Sequence, residues 1–288
     1  IGGLTPLGSR IMSGELGHKD IKEAVTPFGK SLLKAIDSLN GNSTNLSTAK
    51  RLPGQIAGYL ELHIEQGSVL EKSGLAAGIV TVIAAPNRGS IQFEGVADHA
   101  GATPMNERKD ALIGAAEFIV KLEEIVTTNG IANENVGTVG SLTVTPNMIN
   151  IIPGKVDMTL EVRSTDLESL AILRRVIQEE AERIASERNL SHSLNWDHID
   201  EPVHLPESMQ SNISDAFEDL DFPTHYLPSR ASHDAARLAS ITPVGMVFIR
   251  CLAGKSHCPE EFASLEDIVS GTRLLGQSLI RLDRKLMK

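Results

Sequence analysis

The sequence predicts an α/β protein interrupted by an inserted ferredoxin-like α+β domain, and three observations carry that expectation. Tyr59 to Gly67 opens as an alternating run of β-formers and ends in polar residues and a glycine, the pattern of a strand that brings chemistry to a sheet end. Between residues 87 and 200 the periods of two and 3.6 succeed one another as β-α-β-β-α-β, the split βαβ order. From Glu201 onward the chain returns to helix, apolar strand and long helix. The expected division is 1–86, 87–200 and 201–288, with the two outer segments forming one domain.

Taken in order, Gly8-Ser9-Arg10 and Gly14 bracket loop chemistry with a helical segment from Arg10 to Leu16. Ala24, Leu32, Leu33, Ala35 and Ile36 suggest one or two short amphipathic helices, and Gly41 to Thr48 reads as a mobile polar loop. After the Tyr59 strand comes a short helix from Ser68 to Ser73, stopped by Gly74, then an apolar strand from Ile79 to Ala85. Pro86-Asn87-Arg88-Gly89 reads as the domain boundary. Strands are expected at 90–97, 136–145, 155–163 and 190–199, with helices at 110–125 and 167–184 whose apolar residues share one face. Such a unit leaves sheet edges to be paired, so this domain is expected to dimerise. A helix at 207–220, a turn at 229–234, a strand at 244–249 and a helix at 265–286 complete the chain.

At 288 residues the chain is long enough for two domains with sizeable cores. Its net charge of −10 leaves no electrostatic footprint for nucleic acid, and no apolar run approaches membrane-spanning length. Two cysteines without CxxC spacing argue for a reducing compartment, so the expected home is the cytoplasm. The chain opens at Ile1 without Met and reads as a fragment or a processed product.

Four histidines stand in contexts that suit a site. His63 sits with Glu65 and Gln66 where the first strand ends, the place where α/β proteins bind ligands. A lone histidine there is more often a core residue bonded to backbone; three polar groups together shift the balance toward a site. His99, His233 and His257 lie in polar loops rich in small residues and proline, each beside a carboxylate or near one. Imidazole is the commonest divalent-metal ligand, but without HExxH or paired CxxC any metal site must be assembled from distant loops. The other five histidines (His18, His192, His198, His204, His225) are expected to do nothing chemical. Arg163 at a strand end is placed to clamp a carboxylate bidentately, with the amide of Asn150 beside it; a solvated surface arginine is the alternative.

The blocks Gly58-Tyr59-Leu60-Glu61-Leu62-His63-Ile64-Glu65-Gln66-Gly67, Asp98-His99-Ala100-Gly101-Ala102-Thr103-Pro104-Met105, Asn150-x-Ile152-Pro153, Glu161-Val162-Arg163, His233-Asp234-Ala235 and Ser256-His257-x-Pro259-Glu260-Glu261 together resemble one family. It is the N-carbamoyl-L-amino acid hydrolase / allantoate amidohydrolase family, which includes β-ureidopropionase and is related to aminoacylases and dimetal carboxypeptidases. The resemblance runs in order from Gly8-Ser9-Arg10 to the C-terminus. It implies a dimetal-exopeptidase-like catalytic domain with a dimerisation and lid domain inserted, and a homodimer through that insert. It implies two metal ions per active site, Zn²⁺ or else Mn²⁺, Co²⁺ or Ni²⁺. By resemblance, His63 is a ligand of one metal and His257 of the other, and Gln66 touches the ureido end of the substrate. His99 from the partner subunit stabilises the oxyanion, Asn150 and Arg163 hold the substrate carboxylate, and His233 lines the pocket.

One departure accompanies the match. The family's His-x-Asp pair, bridging Asp and Glu-Glu lie upstream of the Gly-Ser-Arg block, where this chain begins. The 288 residues alone are therefore expected to bind metal weakly and to lack turnover, which makes an inactive dimerisation module the alternative to an amidohydrolase. Carbamoyl amino acids, allantoate and ureidoglycolate share a carboxylate and a ureido group, so Arg163 cannot separate them. Arg230-Ala231-Ser232 stands where many carbamoylases look Gly-Ala-Gly, which leaves a ureide substrate open.

Overall fold

The computed structural model describes residues 4–26, 28–129 and 135–287. The opening Ile1-Gly2-Gly3, read above as a fragment's start, lies outside them. The chain forms two compact units: residues up to Ile83 together with those from Val203 onward, and Ala84–Pro202 between them. No helix among the described residues is long and apolar enough to cross a membrane.

The first unit is built on a mixed sheet of β1 (Tyr59–Ile64), β2 (Ala77–Ile83), β7 (Val203–His204), β8 (Tyr226–Ser229) and β9 (Val244–Ile249). β9 is a continuous apolar run, Val-Gly-Met-Val-Phe-Ile, and is buried at all six positions, as a strand covered on both faces must be. It pairs parallel with β1 and antiparallel with β2, which pairs parallel with β8. On one face Val244, Met246 and Phe248 join Leu70, Val80, Leu227 and Leu238. On the other, Val247 and Ile249 meet Ile213 and Phe217 of α7 (Glu207–Asp219) and Leu274 of α9 (Leu265–Leu286). Gly271 lets α9 close on the sheet: a Cβ there would strike Ile249 and Leu62.

Short elements fill the rest: α1 (Leu7–Ser13), α2 (His18–Ile21), α3 (Leu32–Ser38), α4 (Val69–Lys72) and α8 (Asp234–Leu238). The segment expected as a mobile loop is instead a 3₁₀ turn, Ser43–Ala49, because Ser43 donates both its N–H and its hydroxyl to the Asp37 carboxylate at 2.9 and 2.8 Å.

The second unit carries β3 (Ala85–Glu94), α5 (Ala111–Thr128), β4 (Val136–Thr145), β5 (Lys155–Ser164), α6 (Leu167–Glu187) and β6 (Ser191–Ile199). Its strands run β4-β5-β3-β6, all antiparallel, with Phe93, Met158, Leu160 and Val162 turned toward Phe118, Leu122, Leu173 and Ile177 of the helices. Asp110 caps α5 and Asp166 caps α6. The opposite face is polar: Gln92 bonds Asp157, Ser141 bonds Thr159, and Arg88 bonds Glu161. β4 and β6 each pair on one side only among the described residues.

Pro86-Asn87-Arg88-Gly89, expected as the domain boundary, lies just inside the second unit, within the first half of β3. Proline is tolerated there for a local reason. The Pro86 carbonyl accepts the Asp200 N–H at 3.4 Å, so its nitrogen faces the same side, where β6 has already ended and no donor is needed.

Candidate active site

In the first unit the period of two on β1 puts Tyr59, Glu61 and His63 on one face. His63 Nδ1 lies 2.8 Å from the Ile64 carbonyl, which can only accept, so Nδ1 holds the proton and Nε2 presents a lone pair. His233 packs edge-on against it with ring centroids 4.6 Å apart. Its Nε2 is 2.7 Å from Ser229 Oγ, and its Nδ1 is 3.6 Å from Glu61 Oε1. Burial pushes the His233 imidazole down to about 3, so it is neutral and the contact with Glu61 is not an ion pair. Burial also pushes the Glu61 carboxyl up, against the pull of the Ala235 N–H that it accepts at 2.8 Å.

Beyond β1 the chain turns sharply. Glu65, expected to add a carboxylate to the site, is turned away to accept the Val69 and Leu70 N–H groups at 2.7 and 2.8 Å. It caps α4, whose first amides would otherwise be orphaned. Gln66 sits in the left-handed region at φ +57 and donates from Nε2 to Ser256 Oγ at 2.8 Å. Ser256 in turn donates to Glu261 Oε2 at 2.6 Å, which also accepts the His257 N–H at 3.1 Å. These two bonds hold the Glu261 carboxyl below its ordinary value. Ala253 and His257 are left-handed as well, at φ +53 and +58. Three strained non-glycine residues around one strand end mark a place where conformation is held for a purpose.

The second unit carries the remaining predicted residues at two separate places. The ladder of β3 and β5 continues past the sheet as paired loops, with Ile152 N–H on the Asp98 carbonyl at 2.8 Å and Ala100 N–H on the Asn150 carbonyl at 3.0 Å. This sets His99 next to the Asn150 segment through a bridge to Ile151. His99 Nδ1 accepts the Gly101 and Ala102 N–H groups at 3.0 and 3.1 Å, so the proton resides on Nε2, which is a donor. Arg163 lies at the opposite end of β5, paired with Pro86 and Val136, and its Nε meets Glu161 at 2.6 Å. Lys155 to Arg163 is eight residue rises, roughly 26 Å, so the expectation that the Asn150 amide stands beside the Arg163 guanidinium in one copy is not met. The strand between them is the physical reason.

Among the described residues no group of three or more His, Cys, Asp or Glu side chains is set to hold a metal ion. Two imidazoles fall short of the four ligands that zinc takes, so these residues do not by themselves fit a metal pair. In the second unit His198 and Asp200 are tied to each other at 3.0 Å. Sequence reasoning passed over Glu61, Ser229 and the Ser256–Glu261 pair as functional groups. Glu61 carried a signal in its two-residue offset from His63, and Ser256 and Glu261 in their membership of the His257 block; Ser229 carried none.

The model for peptidase family M20/M25/M40 matches residues 9–281. The chain is 39% identical over 278 residues to an N-carbamoyl-L-amino acid amidohydrolase of Geobacillus stearothermophilus, covering 96% of this chain and 66% of that protein. It is 36% identical over 284 residues to a ureidoglycolate hydrolase of Oryza sativa subsp. japonica, covering 97% and 58%. An amidase of the hydantoinase/carbamoylase family from Burkholderia multivorans superposes with a TM-score of 0.82 at 30% identity, over 96% of this chain and 66% of that one. The chain thus spans between 58% and 66% of the length of these relatives.

Proposed function

Since the chain belongs to peptidase family M20/M25/M40, we propose that it serves an amidohydrolase that cleaves the carbamoyl amide of an N-carbamoyl-L-amino acid, with allantoate or ureidoglycolate as the alternative substrates. The observation that carries the reading is the strand end itself: His63 with Nε2 unprotonated, Gln66 and His257 held in strained backbone, and Ser256 and Glu261 bracing them. In this reading Gln66 meets the ureido end and the neutral His233 closes the wall. The Nε2–H of His99 donates to the oxygen that becomes negative as the carbonyl carbon turns tetrahedral. Arg163 holds the substrate carboxylate, and Asn150 lies near His99 rather than near the arginine.

The roughly 26 Å between those two ends of β5 supports a homodimer, since only a second copy can supply His99 and Asn150 to a substrate held by the first copy's Arg163. The edge of β4 that has no strand partner among the described residues and the exposed Met148 and Ile149 suit such a contact. Zn²⁺, Mn²⁺, Co²⁺ or Ni²⁺ belongs to the proposal, with one imidazole each from His63 and His257. The described residues add no further ligands, so the 288 residues alone are proposed to bind metal weakly and to turn over nothing. Two free thiols support a reducing, cytoplasmic home.

A substrate panel tests the reading: N-carbamoyl-L-amino acids, allantoate, ureidoglycolate, N-acetyl amino acids and dipeptides, offered with Zn²⁺ or Mn²⁺ to the 288 residues and to the same residues in a chain of the relatives' length. Ureido acids cleaved by the longer chain alone are the expected result. Preference for acetyl amino acids or dipeptides overturns the substrate class, and turnover by the 288 residues overturns the statement about metal. No turnover in either favours the second reading, a dimerisation module, which the lack of a ligand cluster among the described residues supports.

A further inference from the structure

The Gln66 amide has two ends of opposite character, and its surroundings decide which one faces out. Ser256 Oγ has a single proton and lies 2.6 Å from Glu261 Oε2 and 2.8 Å from Gln66 Nε2. An ionised carboxylate only accepts, and Glu261 already receives the His257 N–H, so the Ser256 proton goes to Glu261. The hydroxyl must then accept from Gln66, and only the NH₂ end of an amide can donate. Gln66 Oε1 is therefore turned away from Ser256, and no group among the described residues donates to it. The backbone leaves little room for another arrangement. Gln66 is left-handed, and Gly254, itself at φ +63, lies so close to Gly67 that a Cβ would stand 2.7 Å from the Gly67 carbonyl carbon.

We infer that Ser256 and Glu261 are positioning residues that fix the Gln66 amide with its carbonyl oxygen outward, making this strand end a receptor for an N–H donor and so selecting the terminal NH₂ of a carbamoyl group over the methyl of an acetyl group. The two groups are nearly the same size, so shape alone separates them poorly, whereas an acceptor left facing a methyl loses its hydrogen bond. The substrate assignment rests on the proposed amidohydrolase reading; the amide orientation does not.

The test follows the Gln66 side-chain NH₂ by ¹H–¹⁵N NMR in the 288-residue chain. It is expected to be shifted downfield and protected from solvent exchange, to lose both features in Ser256→Ala, and to recover them in Ser256→Thr, which restores the hydroxyl. Protection unchanged by Ser256→Ala, or not recovered in Ser256→Thr, overturns the relay. Titration of the same signal with N-carbamoylglycine and N-acetylglycine is expected to show about tenfold weaker binding of the acetyl compound, a difference that collapses in Ser256→Ala. Equal response to the two ligands, or response to neither, overturns the selection. Turnover is read separately: a chain that shows the Ser256-dependent amide yet hydrolyses no ureido acid at the relatives' length refutes the reaction and keeps the orientation.

Discussion

The unit that carries Arg163 and the unit that carries His63 use unfavourable backbone in opposite ways. In the former, the non-glycine residues at positive φ among those described are Asn147 and Asn189, a residue type that enters the left-handed region readily, and aspartates cap both α-helices. In the latter, besides Asn40 and Asp221, which are of the same permissive kind, Gln66, Ala253 and His257 are left-handed, and these three border the candidate site. Each such residue costs on the order of 1–3 kcal/mol, which the surrounding packing must offset. The comparison teaches that one unit is optimised as a scaffold, while the other gives up local stability at the strand end where its polar groups converge.

The largest effect should come from breaking the scaffold. Phe118 is fully buried against Phe93, ring centroids 5.9 Å apart, so Phe118→Ala should cost about 3–5 kcal/mol. Hydrogen exchange should then accelerate across α5 and β3 to β6 while the amides of β9 and α9 keep their protection, because their cores are separate. Acceleration in both units would show that they unfold as one and would erase the contrast.

Next comes the strained corner. Gly254→Ala adds a Cβ against Gly67 backbone at a residue whose φ already disfavours side chains, and should cost roughly 1–3 kcal/mol in a denaturant titration. Ala253→Gly, its neighbour, should be neutral or stabilising by up to about 1 kcal/mol, since it relieves a left-handed alanine. If the two substitutions behave alike, strain is not what distinguishes this unit. Ser229→Ala tests the buried polar pair. It removes the hydroxyl 2.7 Å from His233 Nε2 and leaves a neutral imidazole, already without a bond at Nδ1, unsatisfied at both nitrogens, for about 1–3 kcal/mol read from the thermal midpoint. A change within error would mean that water replaces the hydroxyl and that the site is wetter than its burial suggests.

Legibility in the sequence followed the same line. β4, β9 and α9 begin and end where periodicity placed them, and the β-α-β-β-α-β order of the inserted unit yields the sheet order that it implies, because long amphipathic elements write their burial into the residue pattern. β7, β8 and α8, at two, four and five residues, are too short to show a period and were not foreseen. The histidines were legible as motif members. Their partners were not: Gln66 and Ser256 are 190 positions apart, and Glu61 and Ala235 are 174 apart, so only the fold brings them together. Glu65 misled for a related reason, since a carboxylate beside a site residue and a helix cap look identical in sequence.

The smallest effect sharpens the scaffold side of the comparison, and it is a pH effect. Glu161 lies between Arg163 and Arg88 on the helix-free face of the sheet. Partial burial pushes its carboxyl up, but hydrogen bonds from both guanidinium groups outweigh burial and hold it below the ordinary 4.5. A carboxyl that binds protons less readily when folded contributes stability that is present above 4.5 and is lost as the pH falls through the lower folded value. Glu161→Gln removes that contribution, so wild type should exceed the variant at neutral pH, and the gap should close on acidification below 4.5. These side chains keep substantial solvent contact, so screening limits the gap to about 1 kcal/mol or less. Denaturant midpoints across that range decide the matter: a gap that stays constant with pH would mean that Glu161 acts through packing alone, and that the charge cluster around Arg163 adds no stability of its own.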